Sequence, residues 1–176
     1  MKVSYYPLSV SFLLVGLTLV AAEDTKPTDQ VKKHLGEATI AVLQGATKVE
    51  AFRIEPEPEK LDGSLIGGYP IKATGKQQNK EFAARLTTVL LDEKTLFGRQ
   101  AKCFEPGIAF RLWKDKESVE VMICFDCKNL RLDTRNADGK QVKSTTGAFG
   151  PDIQPLLKLA KEAFPDDKEI QAIKEE

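Results

Sequence analysis

Three cysteines are the residues of this chain best suited to chemistry, namely Cys103, Cys124 and Cys127. Cys124 and Cys127 form a C-x-x-C pair, and Cys103 precedes them in the sequence. Cysteine thiolates form disulfides, exchange them with other thiols, or bind metal ions. Because the number of cysteines is odd, any single bridge leaves one thiol over. The trio therefore predicts a structural disulfide, a redox dithiol or a metal site.

A structural disulfide is the interpretation that the spacing favours. A β-hairpin is expected around the cysteines, and continuing its register outward sets Cys127 opposite Phe104, one step from Cys103. A disulfide requires Cα atoms within about 7 Å, which favours a Cys103–Cys127 bridge. Cys124 would then be a free thiol on the side of the sheet that carries Met122.

A redox site and a zinc site are the alternatives. In the redox alternative, Cys124 and Cys127 attack and resolve while Cys103 exchanges with them. A reactive C-x-x-C pair usually begins a helix, whereas Cys124 is expected to end a strand, and Asp126 disfavours the thiolate. In the zinc alternative the three thiolates join His34, although only one pair of ligands is closely spaced. We expect no bound metal and no cofactor.

Other catalytic motifs are weak. His34 is the only histidine and so the only candidate base for a Ser-His-Asp triad or a Cys-His pair. Nothing in the sequence places it near Cys124. The turn at 133–139 is similar to a calcium loop, but Thr145 stands where the loop requires Glu. We therefore expect no catalytic residue and a protein that is not an enzyme.

The N-terminus predicts export. Lys2 precedes an apolar run over 8–22 that ends on Val20-Ala21-Ala22, which is typical of a secretory signal peptide, 1–22, cleaved after Ala22. The run is short for a membrane span, which takes about 20 apolar residues. We expect an exported protein, periplasmic or extracellular, that has no stable membrane span after cleavage.

Composition restricts the partners. Cleavage of 22 residues from 176 leaves 154, a common size for one domain. Lys2 is the only charge lost, so 25 basic side chains face 26 acidic ones. Lys alternates with Glu and Asp along most segments, which argues against nucleic acid and anionic membranes as partners. No Asn-x-Ser/Thr triplet occurs, which favours a bacterial envelope protein.

Hydrophobic spacing predicts the elements that position the cysteines. A polar, flexible N-terminal extension is expected over 23–30. Helices are predicted over 31–45, 78–91, 156–163 and 166–173, and strands over 48–54, 69–73, 108–113, 118–123, 130–132 and 141–144. Grouped strands with helices on either side predict one α+β domain over 31–176, in which an antiparallel meander sheet packs against helices.

The hairpin register is predicted residue by residue. The pairs that give one wholly apolar side are Ile108 with Ile123, Phe110 with Val121, and Leu112 with Val119. A shift of one residue would bring apolar side chains opposite charged ones.

Three short motifs carry a resemblance to a known family. Cys103-Phe104-x-Pro106-Gly107, Ile123-Cys124-Phe125-x-Cys127 and Ala163-Phe164-Pro165-x-Asp167 resemble a family of exported bacterial proteins of unknown function. The resemblance covers the chain from Gly67-Gly68-Tyr69-Pro70 onward. It implies an exported α+β domain and transfers no catalytic residue.

The expected function is that of a non-enzymatic binding or structural module of the bacterial envelope. Its partner would be another envelope protein or a small ligand. The alternative is a thiol-dependent redox or metal-binding protein centred on Cys103, Cys124 and Cys127.

Overall fold

The structure is a computed structural model that describes residues 26–56, 63–150 and 153–174. The predicted signal peptide lies outside the described residues, as does the first part of the predicted extension over 23–30. The end of that extension is already helical, because α1 begins at Asp29 and Thr28 accepts the cap hydrogen bond from Val31 N.

Among the described residues, seven strands form one antiparallel sheet in the order β2-β3-β1-β4-β5-β6-β7. Their bounds are β1 Lys48–Ile54, β2 Leu65–Ile66, β3 Tyr69–Thr74, β4 Ile108–Lys114, β5 Glu117–Cys124, β6 Asn129–Arg135 and β7 Gln141–Ala148. β4 to β7 follow one another as a meander, because each pairs with the next strand in the sequence.

In the described part of the chain, six helices accompany the sheet and confirm the α+β class. They are α1 Asp29–Leu35, α2 Glu37–Gly45, α3 Lys80–Leu90, α4 Glu93–Leu96, α5 Gln154–Ala163 and α6 Lys168–Ala172. The single helix predicted over 31–45 is divided in two at Gly36, whose φ of 78° interrupts the helical conformation. In the part of the chain that the structure describes, no helix has the length and apolarity of a membrane span.

The main core lies between the helices and one face of the sheet. The predicted hairpin register is confirmed, since Ile108 pairs with Ile123, Phe110 with Val121 and Leu112 with Val119. All six side chains are buried in the same cluster as Leu35, Leu43, Phe82, Leu86 and Leu157. Side chains of alternate residues point to opposite faces, so the residues between them lie on what we call the second face.

The second face is partly covered by the β2–β3 hairpin. The hairpin turns at Gly67, whose N–H donates to Glu120 Oε2 on β5 at 3.0 Å. Gly67 has a φ of 56°, and an added Cβ would lie 2.5 Å from the sulfur of Met122. A glycine is therefore favoured by the backbone conformation, and a larger residue would have to displace the end of the Met122 side chain.

Candidate functional site

A buried carboxylate, that of Glu120, organises the centre of the second face. Its side chain is 2% exposed. Oε1 accepts from Arg111 Nε at 3.0 Å and from Arg111 Nη2 at 2.8 Å. Oε2 lies 3.1 Å from Arg135 Nε and accepts from Gly67 N at 3.0 Å. Two guanidinium groups and one peptide N–H therefore compensate for the loss of water around this carboxylate.

Strand register produces this arrangement. Arg111 stands directly opposite Glu120 on the neighbouring strand, and Glu120 stands opposite Asp133. Asp133 is also buried, and it is bound by Arg131 Nη2 at 3.1 Å and by Ser144 Oγ at 2.6 Å. Each acidic side chain thus has a cation beside it on the same face, which favours the pairing of the strands.

Glu50 on β1 extends the network to the only tryptophan. Trp113 Nε1 donates to Glu50 Oε2 at 2.8 Å, and Lys48 Nζ donates to Oε1 at 2.7 Å. Burial alone would raise the pKa of Glu50, but these two hydrogen bonds and the charges of Lys48 and Arg111 outweigh burial and lower it. Glu50 therefore stays ionised at neutral pH and fixes the indole ring.

A cleft of about 600 Å³ lies beside this network. Its walls are the β4–β5 turn, the β6–β7 turn and the exposed Leu65 of β2. The lining residues are Leu65, Arg111, Trp113, Asp115, Lys116, Ser118, Glu120, Arg135, Asn136, Ala137 and Gly139. Among them three cations accompany two carboxylates, so the lining carries a formal charge of plus one. We refer to this site as the cleft.

Arg111 combines charge with aromatic surface in the cleft. Its guanidinium carbon lies 5.4 Å from the ring centroid of Phe52 and 5.7 Å from that of Trp113. Such contacts add attraction between the cation and the rings and hold the guanidinium plane in place. The cleft thus offers fixed hydrogen-bond donors beside an indole face, an arrangement suited to recognising a small anionic group.

The three predicted site cysteines come together at the other end of β5. Cys124 and Cys127 form a disulfide, with Cα atoms 5.3 Å apart. Cys103 is exposed and not bonded, and its sulfur lies 3.0 Å from the sulfur of Cys127. The structure thus brings the three cysteines together, and the bond joins Cys124 to Cys127 and not Cys103 to Cys127.

The predicted Cys103–Cys127 bridge is wrong although the two sulfurs lie 3.0 Å apart, because Cys127 is bonded to Cys124 in the turn that follows β5. β5 ends at Cys124, and residues 125–128 form the turn into β6. Cys127 lies in this turn, where the chain folds back toward Cys124, and not on a strand opposite Phe104. Cys124 is consequently bonded, and Cys103 is the free thiol.

His34 makes its contacts elsewhere. Its Nε2 lies 2.9 Å from the carbonyl oxygen of Thr146 on β7, and its ring packs against Phe97 with centroids 5.0 Å apart. Among the residues with described positions, no group of three or more His, Cys, Asp or Glu side chains is placed to hold a metal ion. The zinc alternative, which needs His34 beside the three sulfurs, thus gains no support.

No family model matches the chain, and neither curated proteins nor solved structures give a match. The resemblance to exported bacterial proteins therefore stays a prediction.

The cleft is the site that sequence reasoning missed. The signal was present, because the predicted register already set Arg111 opposite Glu120 on the face away from the core. Opposite charges at such a position indicate a paired network. No sequence pattern predicted that the β2–β3 hairpin covers this face, because the contact between Gly67 and Glu120 joins residues far apart in the sequence.

Proposed function

We propose that this protein is a non-enzymatic binding module of the bacterial envelope, exported to the periplasm or beyond, and that the cleft binds a small ligand with an anionic group. The observation that carries the proposal is the fixed pair of guanidinium groups, Arg111 and Arg135, beside the Trp113 ring. Export is supported by the N-terminal sequence, and binding by the cleft.

The arginines are held in place before any ligand arrives. Glu120 is buried, accepts hydrogen bonds from Arg111 and forms an ion pair with Arg135, so neither guanidinium has to be ordered on binding. Arg135 uses Nε for Glu120 and Nη1 for the carbonyl of Gly139 at 3.1 Å. A guanidinium has five N–H donors, so donors remain for a ligand carboxylate or phosphate. Lys116 adds an exposed ammonium at the rim of the cleft.

The lining favours binding over acid–base catalysis. Both oxygens of Glu120 are engaged by cations and a peptide N–H, which leaves this carboxylate poorly placed to take a proton from a substrate. The residues that line the cleft include no histidine and no cysteine. The aromatic ring and the guanidinium groups are instead the groups that recognise charged ligands.

Trp113 provides a direct measurement, because it is the only tryptophan and it lines the cleft. The mature chain would be titrated at low salt with citrate and with inorganic phosphate while tryptophan emission is recorded. We expect a saturable change for at least one of the two anions. Lys116→Ala should weaken that binding about fivefold, because it removes one exposed charge.

The matched control is Lys158→Ala, which removes an equally exposed lysine from α5 on the helical side. Its affinity should equal that of the unmodified chain. Emission that does not saturate with either anion would contradict the proposal, as would equal weakening in the two lysine variants. The latter result would indicate a general effect of charge.

A further inference from the structure

We propose that Cys103, Cys124 and Cys127 form a thiol–disulfide exchange site. Exposed Cys103 attacks the buried Cys124–Cys127 disulfide, and the disulfide that it forms then oxidises thiols of a second molecule. This inference is independent of the cleft. The two sites lie at different positions along β5, because Glu120 lines the cleft and Cys124 belongs to the cysteine cluster, and the four residue steps of roughly 3.3 Å between them span about 13 Å.

The solvent exposure of the three cysteines indicates which of them attacks in the exchange. Cys124 and Cys127 are 2% and 6% exposed, so an external thiol has little access to the disulfide that they form. Cys103 is exposed and unbonded, and its sulfur lies 3.0 Å from that of Cys127. Thiol–disulfide exchange requires a thiolate to reach one sulfur of the bridge. Cys103 is the thiol placed to do so.

The first step moves the disulfide within the protein. Cys103 loses its proton to solvent, and its thiolate attacks the sulfur of Cys127. The Cys103–Cys127 bond forms as the Cys124–Cys127 bond breaks, and Cys124 leaves as a thiolate that takes up a proton. No oxidant or reductant is consumed, because one disulfide and one thiol are present before and after the step.

The second step transfers the disulfide to the second molecule. An external thiolate attacks the exposed sulfur of Cys103, which forms a mixed disulfide and releases Cys127 as a thiolate that takes up a proton. A second external thiolate then attacks the external sulfur of the mixed disulfide, so that an external disulfide and the Cys103 thiol result. Two external thiols are thereby oxidised, and Cys124 and Cys127 are reduced to thiols.

The surroundings of the sulfurs fit these roles. The backbone N–H of Cys127 donates to the sulfur of Cys124 at 3.1 Å, a contact that stabilises Cys124 as the leaving thiolate. The side chain of Asn129, which is buried, donates to the carbonyl oxygens of Cys103 at 2.8 Å and of Ala101 at 3.0 Å. Asn129 thus fixes the segment that carries the attacking cysteine to the start of β6.

Phe104 provides a second anchor for this segment. Its ring packs edge-on against Tyr69, with centroids 6.4 Å apart, and lies 5.9 Å from the guanidinium carbon of Arg131. Cys103 is therefore exposed to solvent while the residue after it is held on the second face. A thiol held in this way stays near Cys127 instead of moving freely.

Disulfide mapping tests the internal step. Oxidised protein would be quenched with acid, alkylated and mapped by peptide mass spectrometry. Cys124→Ser should give a Cys103–Cys127 bridge, and Cys127→Ser should give two free thiols. Two free thiols in oxidised Cys124→Ser would overturn the proposal, because the exchange requires that bridge.

Reduction kinetics test the external step. Reduced glutathione is the probe, and the appearance of thiols in folded protein is the readout. Cys103→Ser should be reduced at least tenfold more slowly than the unmodified chain, although its Cys124–Cys127 disulfide is intact. Gln100→Ala, an exposed change in the same segment, is the control and should not slow reduction. Rates for Cys103→Ser within twofold of the unmodified chain would overturn the proposal.

Discussion

Arg111 on β4 stands directly across from Glu120 on β5, and its Nε and Nη2 both donate to one carboxylate oxygen, at 3.0 and 2.8 Å. The other oxygen is bound by Arg135 and by the backbone of Gly67. The buried side chain of Glu120 therefore connects β5 to β4, to β6 and to the β2–β3 hairpin that covers them. Stability and the shape of the cleft both depend on this carboxylate.

Glu120→Ala should strongly destabilise the fold. The change leaves Arg111 and Arg135 without their common counter-ion, and removal of one partner of a buried ion pair costs about 3 kcal/mol. For a domain of this size we expect the thermal midpoint to fall by roughly 6 to 12 °C, measured by circular dichroism. Glu105→Ala, at an exposed glutamate, is the control and should leave the midpoint unchanged. Equal midpoints for the two variants would contradict the role of Glu120.

Glu50→Gln should reduce stability at neutral pH but not in acid. The folded protein lowers the pKa of Glu50 from the ordinary value of 4.5, so its ionised form stabilises the fold above that pH. This stabilisation is lost as the pH falls through the lowered pKa. We expect a difference of about 1 kcal/mol at pH 7 that narrows below pH 4.5, measured by urea unfolding at several pH values.

Glu105→Gln is the matched change for Glu50→Gln, since it neutralises an exposed carboxylate in the same way. Its stability should stay close to that of the unmodified chain from pH 7 downward. A gap between Glu50→Gln and the unmodified chain that stays constant over the whole range would show that charge is not the cause.

Gly67→Ala should destabilise the protein more than Gly68→Ala. Both glycines have positive φ, at 56° and 85°, so both changes carry the strain of a left-handed backbone, which is about 1 kcal/mol. Only at Gly67 would the new Cβ meet Met122, whereas the space around Gly68 is open. Urea unfolding should therefore give a cost about 1 kcal/mol larger for Gly67→Ala. Equal costs would show that the hairpin moves freely away from β5.

Cys103→Ala should leave the thermal midpoint unchanged, while Cys127→Ala should lower it. The disulfide closes a loop with a sequence separation of 3, for which the chain-entropy relation gives about 2 kcal/mol. A fall of roughly 4 to 8 °C is then expected for Cys127→Ala, measured by circular dichroism without reductant. With reductant present, unmodified and Cys127→Ala proteins should melt together. A lower thermal midpoint for Cys103→Ala would instead support the Cys103–Cys127 bridge that was predicted from the sequence.

The register of β4 and β5 was predictable because apolar and polar residues alternate along both strands. A hairpin with one apolar face has one register in which all large side chains meet, and Ile108, Phe110 and Leu112 pair as expected. The strand over 48–54 was predicted for the same reason and coincides with β1, Lys48–Ile54.

Local backbone changes were harder to predict. Gly36 divides a continuous apolar stripe into two helices, because its positive φ is set by the contacts of the folded chain and not by hydrophobic spacing. The helix predicted over 166–173 is shorter in the structure, α6 Lys168–Ala172, because Asp167 caps it by accepting from Glu169 N and Ile170 N. Differences of one or two residues are common at helix ends.

The pairing of the cysteines and the cleft depend on where the chain turns. Extrapolation of the hairpin past Cys124 failed because residues 125–128 form a turn. The cleft depends on the β2–β3 hairpin crossing to Glu120, a contact between residues 53 positions apart. Periodicity describes neighbours in sequence and holds no information on such a crossing.

β5 has hydrogen-bonded strands on both sides, and seven of its eight residues are buried. Amide protons in such a strand exchange with solvent only when the whole domain opens. The proposed ligand cleft at Glu120 and the proposed exchange site at Cys124 would thus be carried by the same rigid strand. Neither ligand binding nor disulfide exchange would then require any part of the sheet to refold.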